Sequence, residues 1–494
     1  MEATGVWFEN SLWPSGASPG AFARDVFRLE NCKTDKEKAL VFNKWMLRCF
    51  NRGPNLKLPG MGGYLRCTDP TILFTSWGHN ECTGWGWVAT EALMAAGLKA
   101  RRAVAFNLGH TFYEVWYKGE NGKESWHAFD PFIGWHFTND EGEVASCEEL
   151  AANPDLVLHP RSGSAEPLGF HPELAGVLHR YQVHDLIDVK QEIQNKDICF
   201  NPKIGQSYSL LWRPENPELS LPCEGNRVDG AHCTITLYNE EGKVRHPEHY
   251  PYWKNYVWPT PKSPSHANGG QPARWHGCGA LRWQPLLYGD KVIHKANNAI
   301  FENGTVKPSA NKTHCEVFWK IQVPYLASYL RIGTALDIGG GDIFGISISP
   351  DNGESFHTLH WGGNHPPKVL ELNPRTAPSI NGLREFIIRM DMSSQSKNST
   401  LRLRGFQINV GYQVNMNILP RLLPGKNELG IKAKSISPNI KLEAEWAYTH
   451  PDGEMVDTVT LDKAGENKTI KNLSIKSPAD IIMRGVTLYC RPKD

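Results

Sequence analysis

Three side chains in the first third of the chain are of the types that nucleophilic catalysis requires, namely Cys82, His110 and Asp130. A cysteine thiolate attacks an acyl carbon, a histidine beside it takes up and returns the proton, and a carboxylate orients the imidazole ring. Cys82 is predicted at or just before the first turn of a helix, where the helix dipole and unpaired N–H groups lower the pKa of a thiol. The Cys82 amide can also donate a hydrogen bond to a developing oxyanion. The three residues therefore predict a cysteine nucleophile served by a His–Asp pair.

The loop between the predicted strands of His110 and Asp130 decides whether these two side chains can meet. Successive side chains on a strand point to opposite faces of a sheet, so a shift of one residue in the pairing changes the face. A two-residue turn at Asn121-Gly122 would leave Asp130 on the wrong face. A three-residue loop or a bulge places Asp130 opposite Phe112 or Glu114, on the face of His110. The triad therefore requires a hairpin loop with an odd number of residues.

Helical and strand-like patterns in residues 35–132 predict the elements that hold these side chains. Apolar residues recur at helical spacing over Asp35–Cys49 and Gly84–Ala96. Thr34 is placed to cap the first helix, and Gly97 to end the second in the left-handed conformation. After Gly97 the pattern changes to a period of two, which is typical of strands. The predicted strands are Ala100–Asn107, His110–Lys118 and Ser125–Phe132, with a hairpin turn in Gly119–Glu124.

Three short motifs follow Cys82 in a fixed order. They are the A-A-G-L-x-A-R stretch of Ala95, Ala96, Gly97, Leu98, Ala100 and Arg101, the His-aromatic-E-V strand of His110, Glu114 and Val115, and the W-x-x-x-D-P strand of Trp126, Asp130 and Pro131. With Cys82 they resemble the core of the transglutaminase-like superfamily, which is papain-like, and peptide:N-glycanase-type domains share the pattern. The resemblance covers roughly residues 30–135. One departure is Thr83-Gly84 after the cysteine, where many members have a glycine directly and then an acidic residue.

The resemblance implies a role for each residue of the triad. Cys82 would be the nucleophile, His110 the acid and base, and Asp130 the residue that orients His110. The family also has an aromatic residue that donates to the oxyanion, but no motif marks it here. Trp77, five residues before Cys82, is assigned to the substrate-binding residues from its position.

Beyond a connector that ends near residue 180, the pattern is that of short strands. The 45 Gly and 34 Pro residues indicate that the chain turns often. We therefore expect an α+β fold in which an N-terminal transglutaminase-like, papain-like core is followed by all-β sandwich domains. The predicted domains are the core with its connector over 1–180, a β-rich middle region with aromatic loops over 181–310, a jelly-roll-like β-sandwich over 311–414 and a C-terminal β-sandwich over 415–494.

The middle region contains an unusually aromatic sequence, HPEHYPYWKNYVW, over residues 246–258. An indole or phenol ring presents a flat apolar face and a polar tip, which suits stacking on a sugar. We expect this region to fold back toward Cys82 and to form one wall of the substrate cleft; packing between domains is the alternative. The predicted substrate-binding residues here are Tyr250, Trp253, Trp258 and Trp275.

Composition and charge argue against several classes of partner. A net charge of +1 without a basic block argues against binding to nucleic acid. No apolar run approaches the roughly 20 residues that a membrane-spanning helix needs. No Cys-x-x-Cys pair marks a structural zinc site, and neither a metal nor another cofactor is expected. The chain has 11 cysteines, so at least one cannot pair within a monomer.

The N-terminal sequence MEATGVWFENSLWPSG lacks the basic and apolar regions of a signal peptide. The protein is therefore either cytoplasmic or a chain from which a signal was removed. A neutral, turn-rich chain with 17 Trp is compatible with an extracellular protein that faces carbohydrate. We expect a secreted or periplasmic protein with its signal removed, rather than a cytoplasmic one.

Three functions fit these features. The first is a thiol-dependent enzyme, a transglutaminase-like cysteine hydrolase or acyltransferase, whose Cys82 attacks an acyl or amide bond of a glycan, glycoconjugate or peptide substrate. Hydrolysis is favoured over crosslinking, because nothing marks a site for an amine acceptor. The second is a polysaccharide-degrading lyase that uses the same core with Tyr or His acid–base chemistry. The third is a non-catalytic carbohydrate-binding scaffold.

Overall fold

Strands, nearly all antiparallel, are the commonest element: they make up 48% of the residues that the structure describes, and helices make up 18%. The structure is a computed structural model. It describes residues 2–52, 57–60, 63–80, 82–105, 110–131, 134–164, 196–211, 277–287, 293–363, 369–372, 380, 382–420, 422–423, 425–450, 453–465, 468–475 and 482–493. No helix within these ranges is long and apolar enough to cross a membrane.

The helices lie almost entirely in the first third of the chain, and local capping begins them. The Ser18 hydroxyl accepts a hydrogen bond from the Ala21 N–H. Thr34 and Glu37 form a capping box, so the predicted cap at Thr34 is confirmed. The α-helices are α1 (Pro19–Leu29), α2 (Asp35–Cys49), α3 (Pro70–Ile72), α4 (Cys82–Ala95), α5 (Cys147–Ala152) and α6 (Asp155–Leu158), with a π-helical turn at Leu73–Trp77 and a 3-10 turn at Met416–Ile418.

The strands are numbered in chain order. Those in the first third are β1 (Ala3–Thr4), β2 (Trp7–Asn10), β3 (Asn51–Arg52), β4 (Lys57–Gly60), β5 (Gly63–Arg66), β6 (His79–Asn80), β7 (Lys99–Ala105), β8 (His110–Lys118) and β9 (Glu124–Phe129). Those that follow are β10 (Gln206–Leu211), β11 (Gly277–Trp283), β12 (Lys295–Asn297), β13 (Ala299–Glu302), β14 (Thr305–Pro308), β15 (His314–Gln322), β16 (Leu326–Asp337), β17 (Ile343–Ser349), β18 (His357–Gly362), β19 (Val369–Leu372), β20 (Glu385–Ser393), β21 (Arg402–Val414), β22 (Gly425–Lys432), β23 (Ser435–Ile436), β24 (Ile440–His450), β25 (Gly453–Leu461), β26 (Lys468–Ile475) and β27 (Ile482–Pro492).

Two large sheets pack face to face and enclose the main hydrophobic core. One has five strands in the order β12-β15-β20-β17-β18. The other has ten strands in the order β13-β14-β21-β11-β10-β27-β24-β25, and β16 joins it by pairing with β21 and β19. Trp319 of the first sheet and Phe406 of the second are both buried, with ring centroids 4.5 Å apart. Burying each such ring contributes on the order of 2–3 kcal/mol, so contacts of this kind hold the two sheets together.

A smaller sheet, β7-β8-β9, packs against α4 on one face and against α5 and α6 on the other. Tyr113 of β8 and Phe129 of β9 stack at 5.6 Å and share a buried cluster with Trp85 of α4. Phe112 of β8 belongs to a separate cluster with Trp135. Because strand side chains alternate, these clusters lie on opposite faces, and α4 covers only the Tyr113 face.

The N-terminal strands pair with strands near the C-terminus. Trp7 of β2 lies opposite Lys432 of β22, and β1 pairs in the same way with β23. Asn415, which follows β21, donates from Nδ2 to the carbonyl oxygens of Cys49 and Phe74 at 2.9 and 2.8 Å. The helical layer is therefore fastened to the β framework both at its start and in its middle.

The predicted α+β fold with an N-terminal transglutaminase-like, papain-like core is wrong, because the chain is mostly strands and its fold is all-β. Helical spacing is a strong local signal, and the prediction relied on it too heavily when it assigned the fold class. The strand pairing of Trp7 with Lys432 joins positions 425 residues apart, and no local pattern reveals such a contact. The predicted domain boundaries stay predictions.

Candidate functional site

Cys82 is the first residue of α4, which begins two residues earlier than predicted. Its side chain is partly exposed and is present as a thiol. A Cβ atom on Gly84 would lie 2.2 Å from Cγ of the buried Asn80, so only glycine fits at this position. The Trp85 Nε1–H donates to the Asn80 carbonyl at 3.2 Å. The Gly84 and Trp85 that follow Cys82 thus hold the helix start against the segment before it.

The start of α4 lies against the start of β8. The hydroxyl oxygens of Thr83 and Thr111 are 3.4 Å apart. A Cβ atom on Gly86 would lie 2.8 Å from Cγ2 of Thr111, so the helix and the strand are in close contact here. Thr83 follows Cys82 and Thr111 follows His110, so each of these two predicted catalytic residues is one position along the chain from this contact. Neighbouring Cα atoms are about 3.8 Å apart.

The hairpin of β8 and β9 has the geometry that the sequence analysis required. Its register pairs Lys118 with Glu124 and Tyr113 with Phe129, which leaves a loop of five residues, an odd number. Continued by one step, that register sets Asp130 opposite Phe112. The positions of His110 and Asp130 therefore fall on the same face of the hairpin.

Asp130 is fully buried at the end of β9. Its N–H donates to the Trp135 carbonyl at 2.9 Å, and its carbonyl accepts from the Gly134 N–H at 2.8 Å. Burial, together with the Asp130 carboxylate, raises the pKa of the Tyr113 phenol well above its usual value. The Asp130 carboxylate is therefore close enough to Tyr113 to act on its phenol, although the strand register sets Asp130 on the Phe112 face of the sheet.

The side chain of His110 lies outside the described residues, as do Glu81 and residues 106–109. His110 is the first residue of β8, and its backbone pairs with Ala105 of β7. The structure thus brings together the elements that carry Cys82, His110 and Asp130, and the triad itself stays a prediction.

Trp77 is fully buried in the cluster beneath α4. It ends the π-helical turn, and Gly78 follows it in the left-handed conformation with φ 75°. A Cβ atom on Gly78 would lie 2.6 Å from Asn415 Cγ, so the turn is pressed against the β framework. The Trp77 side chain has no exposed surface here, and the substrate contact assigned to it stays a prediction.

The other predicted substrate-binding residues, Tyr250, Trp253, Trp258 and Trp275, lie outside the described residues. The cleft wall that they were expected to form stays a prediction. Trp283, the nearest described tryptophan along the chain, is buried in the main core.

A buried ion pair braces the sheet that carries His110 and Asp130. Glu114 of β8 is fully buried, and Arg101 of β7 donates from Nε to Glu114 Oε2 at 2.7 Å. Arg101 Nη2 makes a second ionic contact of 2.7 Å with the same oxygen, and Glu114 Oε1 accepts from the Cys147 N–H at 2.8 Å. The Arg101 guanidinium also lies 4.1 Å from the ring centroid of Trp126 on β9. Glu114, Arg101 and Trp126 were motif residues, and their role here is to align three strands and the start of α5.

Comparison with known proteins does not place the chain in a family. No family model matches it, and no curated protein matches it. Among solved structures it is similar to the glycoside hydrolase domain of Endo-D from Streptococcus pneumoniae R6, with 11% identity over 46% of this chain and 34% of that chain, and a TM-score of 0.15. The chain therefore spans about a third of that protein's length, and a TM-score of this size does not indicate a common fold.

Proposed function

We propose that the protein is a thiol-dependent hydrolase in which Cys82 attacks an acyl or amide carbon of a peptide or glycoconjugate. The observation that carries the proposal is the 3.4 Å contact between the hydroxyl oxygens of Thr83 and Thr111, since it brings the start of α4, where Cys82 lies, against the start of β8, where His110 lies. His110 then serves as acid and base, and Asp130 orients His110.

The position of Cys82 favours a thiolate. It begins a helix of 14 residues whose first turn contains no acidic side chain. The positive end of the helix dipole stabilises a negative charge on the sulfur. Cys82 is also partly exposed, as a nucleophile that meets a substrate must be.

The proposed reaction has two steps. In the first, the Cys82 thiolate adds to the carbonyl carbon, the oxyanion forms, and His110 gives a proton to the departing amine or alkoxide, which leaves a thioester on Cys82. In the second, His110 takes a proton from water, the resulting hydroxide adds to the thioester, and the carboxylic acid product leaves as the thiolate is restored. A carboxylate beside the ring stabilises the protonated imidazole, which gives up its proton in the first step and forms again in the second, and this is the role of Asp130.

The proposal is tested on peptide and glycopeptide amides with Cys82→Ala, Asp130→Asn and the matched control Cys199→Ala. Cys199 is also partly exposed and lies far along the chain from the site. We expect Cys82→Ala to lose about 10³-fold or more in kcat, Asp130→Asn to lower kcat with little change in KM, and Cys199→Ala to behave as the natural protein. Full activity of Cys82→Ala would exclude the thiol mechanism, and the lyase and the carbohydrate-binding scaffold would remain as the candidate functions.

A further inference from the structure

Trp361 is the one aromatic residue among the large hydrophobic side chains exposed in the described part of the chain, and 54% of its surface is accessible. It lies on β18, the last strand of the five-stranded sheet. An exposed apolar ring on an edge strand invites association with other chains, so soluble proteins tend to avoid it unless it serves a purpose.

Gly345 allows the Trp361 ring to lie flat on the neighbouring strand. A Cβ atom on Gly345 would lie 2.5 Å from Trp361 Cε3 and 3.3 Å from Asp391 Cβ. Because both distances start at one point, Cε3 and the Asp391 Cβ are at most 5.8 Å apart. Gly345 is not among the glycines with a positive φ, so this close approach, and not the backbone conformation, requires glycine here.

The ring is one end of a row that crosses the whole sheet. The strand registers set Trp361, Gly345, Asp391, Glu316 and Asn297 side by side on five neighbouring strands. With strands about 4.8 Å apart, the row is about 19 Å long. It has a flat apolar platform at one end and planar polar groups along the rest.

The polar groups of the row are held in place by one another. Arg389 donates from Nε to Asp391 Oδ2 at 3.0 Å, and Asn297 donates from Nδ2 to Glu316 Oε2 at 2.8 Å. His314 Nε2 lies 3.3 Å from Asp391 Oδ1. Asp391 is buried, with 4% of its side chain exposed, and it holds Arg389 in place; the Glu316 carboxylate, 24% exposed, can accept further hydrogen bonds. Burial raises the pKa of Asp391, although Arg389 and His314 act to lower it.

We propose that this row is a binding site for a neutral oligosaccharide. A sugar ring has an apolar C–H face, which stacks on Trp361, and hydroxyl groups on its rim, which donate to Glu316 and accept from Arg389. The length of the row accommodates several linked sugar rings. The site does not depend on Cys82.

Two other occupants fit the row less well. His314, Glu316 and Asp391 offer ligand atoms within 4.8 Å of one another, as a metal site would. However, Arg389 lies 3.0 Å from Asp391 and already supplies a positive charge there. An apolar peptide segment would cover the carboxylates without giving them donors, at a cost in desolvation.

The test is affinity electrophoresis of the full chain in gels that contain β-glucan, xylan, mannan or soluble chitin. We expect retardation by at least one of these polysaccharides, and Trp361→Ala should weaken it by about 5- to 150-fold, the range that loss of one stacking contact produces. Val456→Ala is the matched control, because Val456 is 60% exposed on β25 and lies on the other sheet. Trp361→Phe keeps a flat ring and should retain part of the affinity, and Cys82→Ala should bind as the natural protein does.

Three results would overturn the proposal. The first is retardation by none of the four polysaccharides. The second is equal retardation of Trp361→Ala and the natural protein, or equal losses in Trp361→Ala and Val456→Ala. The third is retardation that is lost in the presence of EDTA and in His314→Ala but is unchanged in Trp361→Ala. That result would indicate a metal site. Loss of binding in Trp361→Ala together with loss of hydrolysis only in Cys82→Ala would separate this site from the catalytic one.

Discussion

Removal of the Glu114 side chain should destabilise the protein more than removal of any exposed carboxylate. The substitution Glu114→Ala leaves the Arg101 guanidinium, only 17% exposed, without its counter-charge, and the Cys147 N–H without its acceptor. Breaking a buried ion pair costs about 3–5 kcal/mol. The residual exposure of Arg101 lets water take up part of the charge, so we expect about 3 kcal/mol. Arg101→Met should cost a similar amount, because it strands the Glu114 carboxylate.

The assay is urea unfolding followed by tryptophan fluorescence, run as a double-mutant cycle. The pair Glu114→Leu with Arg101→Met should cost at least about 2 kcal/mol less than the sum of the single changes, since no charge is then left unpaired. Glu302→Ala is the matched control; its pair with Lys307 has the same 2.7 Å length, but the two side chains are 53% and 43% exposed. That change should cost about 0–1 kcal/mol. A loss below about 1 kcal/mol for Glu114→Ala, or additive single changes, would refute the role given to this pair.

Three further predictions concern the same region. Cys82 should react with iodoacetamide at lower pH than Cys32, because burial, Glu37 and Glu30 raise the pKa of Cys32. Mass spectrometry of the labelled peptides over pH 5–9 measures the two reactions, and equal pH profiles would contradict a stabilised thiolate at Cys82. Burial lowers the pKa of His127 below its ordinary 6.5, so the contribution of His127 to stability is present above pH 6.5 and is lost as the pH falls toward the pKa in the folded protein. The urea midpoint should therefore decline below about pH 6.5, and it should decline less steeply in His127→Gln. Parallel declines in the two proteins would contradict this role of His127. Gly84→Ala should lower the unfolding midpoint and slow the alkylation of Cys82, since overpacking costs about 1–3 kcal/mol, while Gly340→Ala, where a Cβ meets nothing within 4 Å, should change neither.

The local elements could be predicted where the signals lie close together in the sequence. The helix Asp35–Cys49 has the predicted bounds, because Thr34 and Glu37, three residues apart, mark its start. Gly97 has a φ of 93°, as the predicted helix end requires. The odd hairpin loop also followed from short-range reasoning, since alternation along two adjacent strands depends only on loop length.

What the sequence could not reveal depends on distant contacts. The helix Pro19–Leu29 was missed although Ser18 caps it and Pro19 begins it. The burial of Trp77 results from packing under α4 and from Asn415, more than 300 positions away, so its sequence position alone made it look available to a substrate. The class of the whole fold was misjudged for the same reason, because pairings between the two ends of the chain create the β framework.

The central claim is that Cys82 forms a covalent intermediate, and trapping that intermediate tests it most directly. The full chain is mixed with a peptide or glycopeptide amide that it hydrolyses, quenched in acid within one turnover and digested for mass spectrometry. The account predicts that the acyl part of the substrate is attached to the peptide that contains Cys82, and that the adduct is absent from Cys82→Ala and present in Cys199→Ala. Hydrolysis without any adduct on that peptide, together with activity retained in Cys82→Ala, would contradict the account.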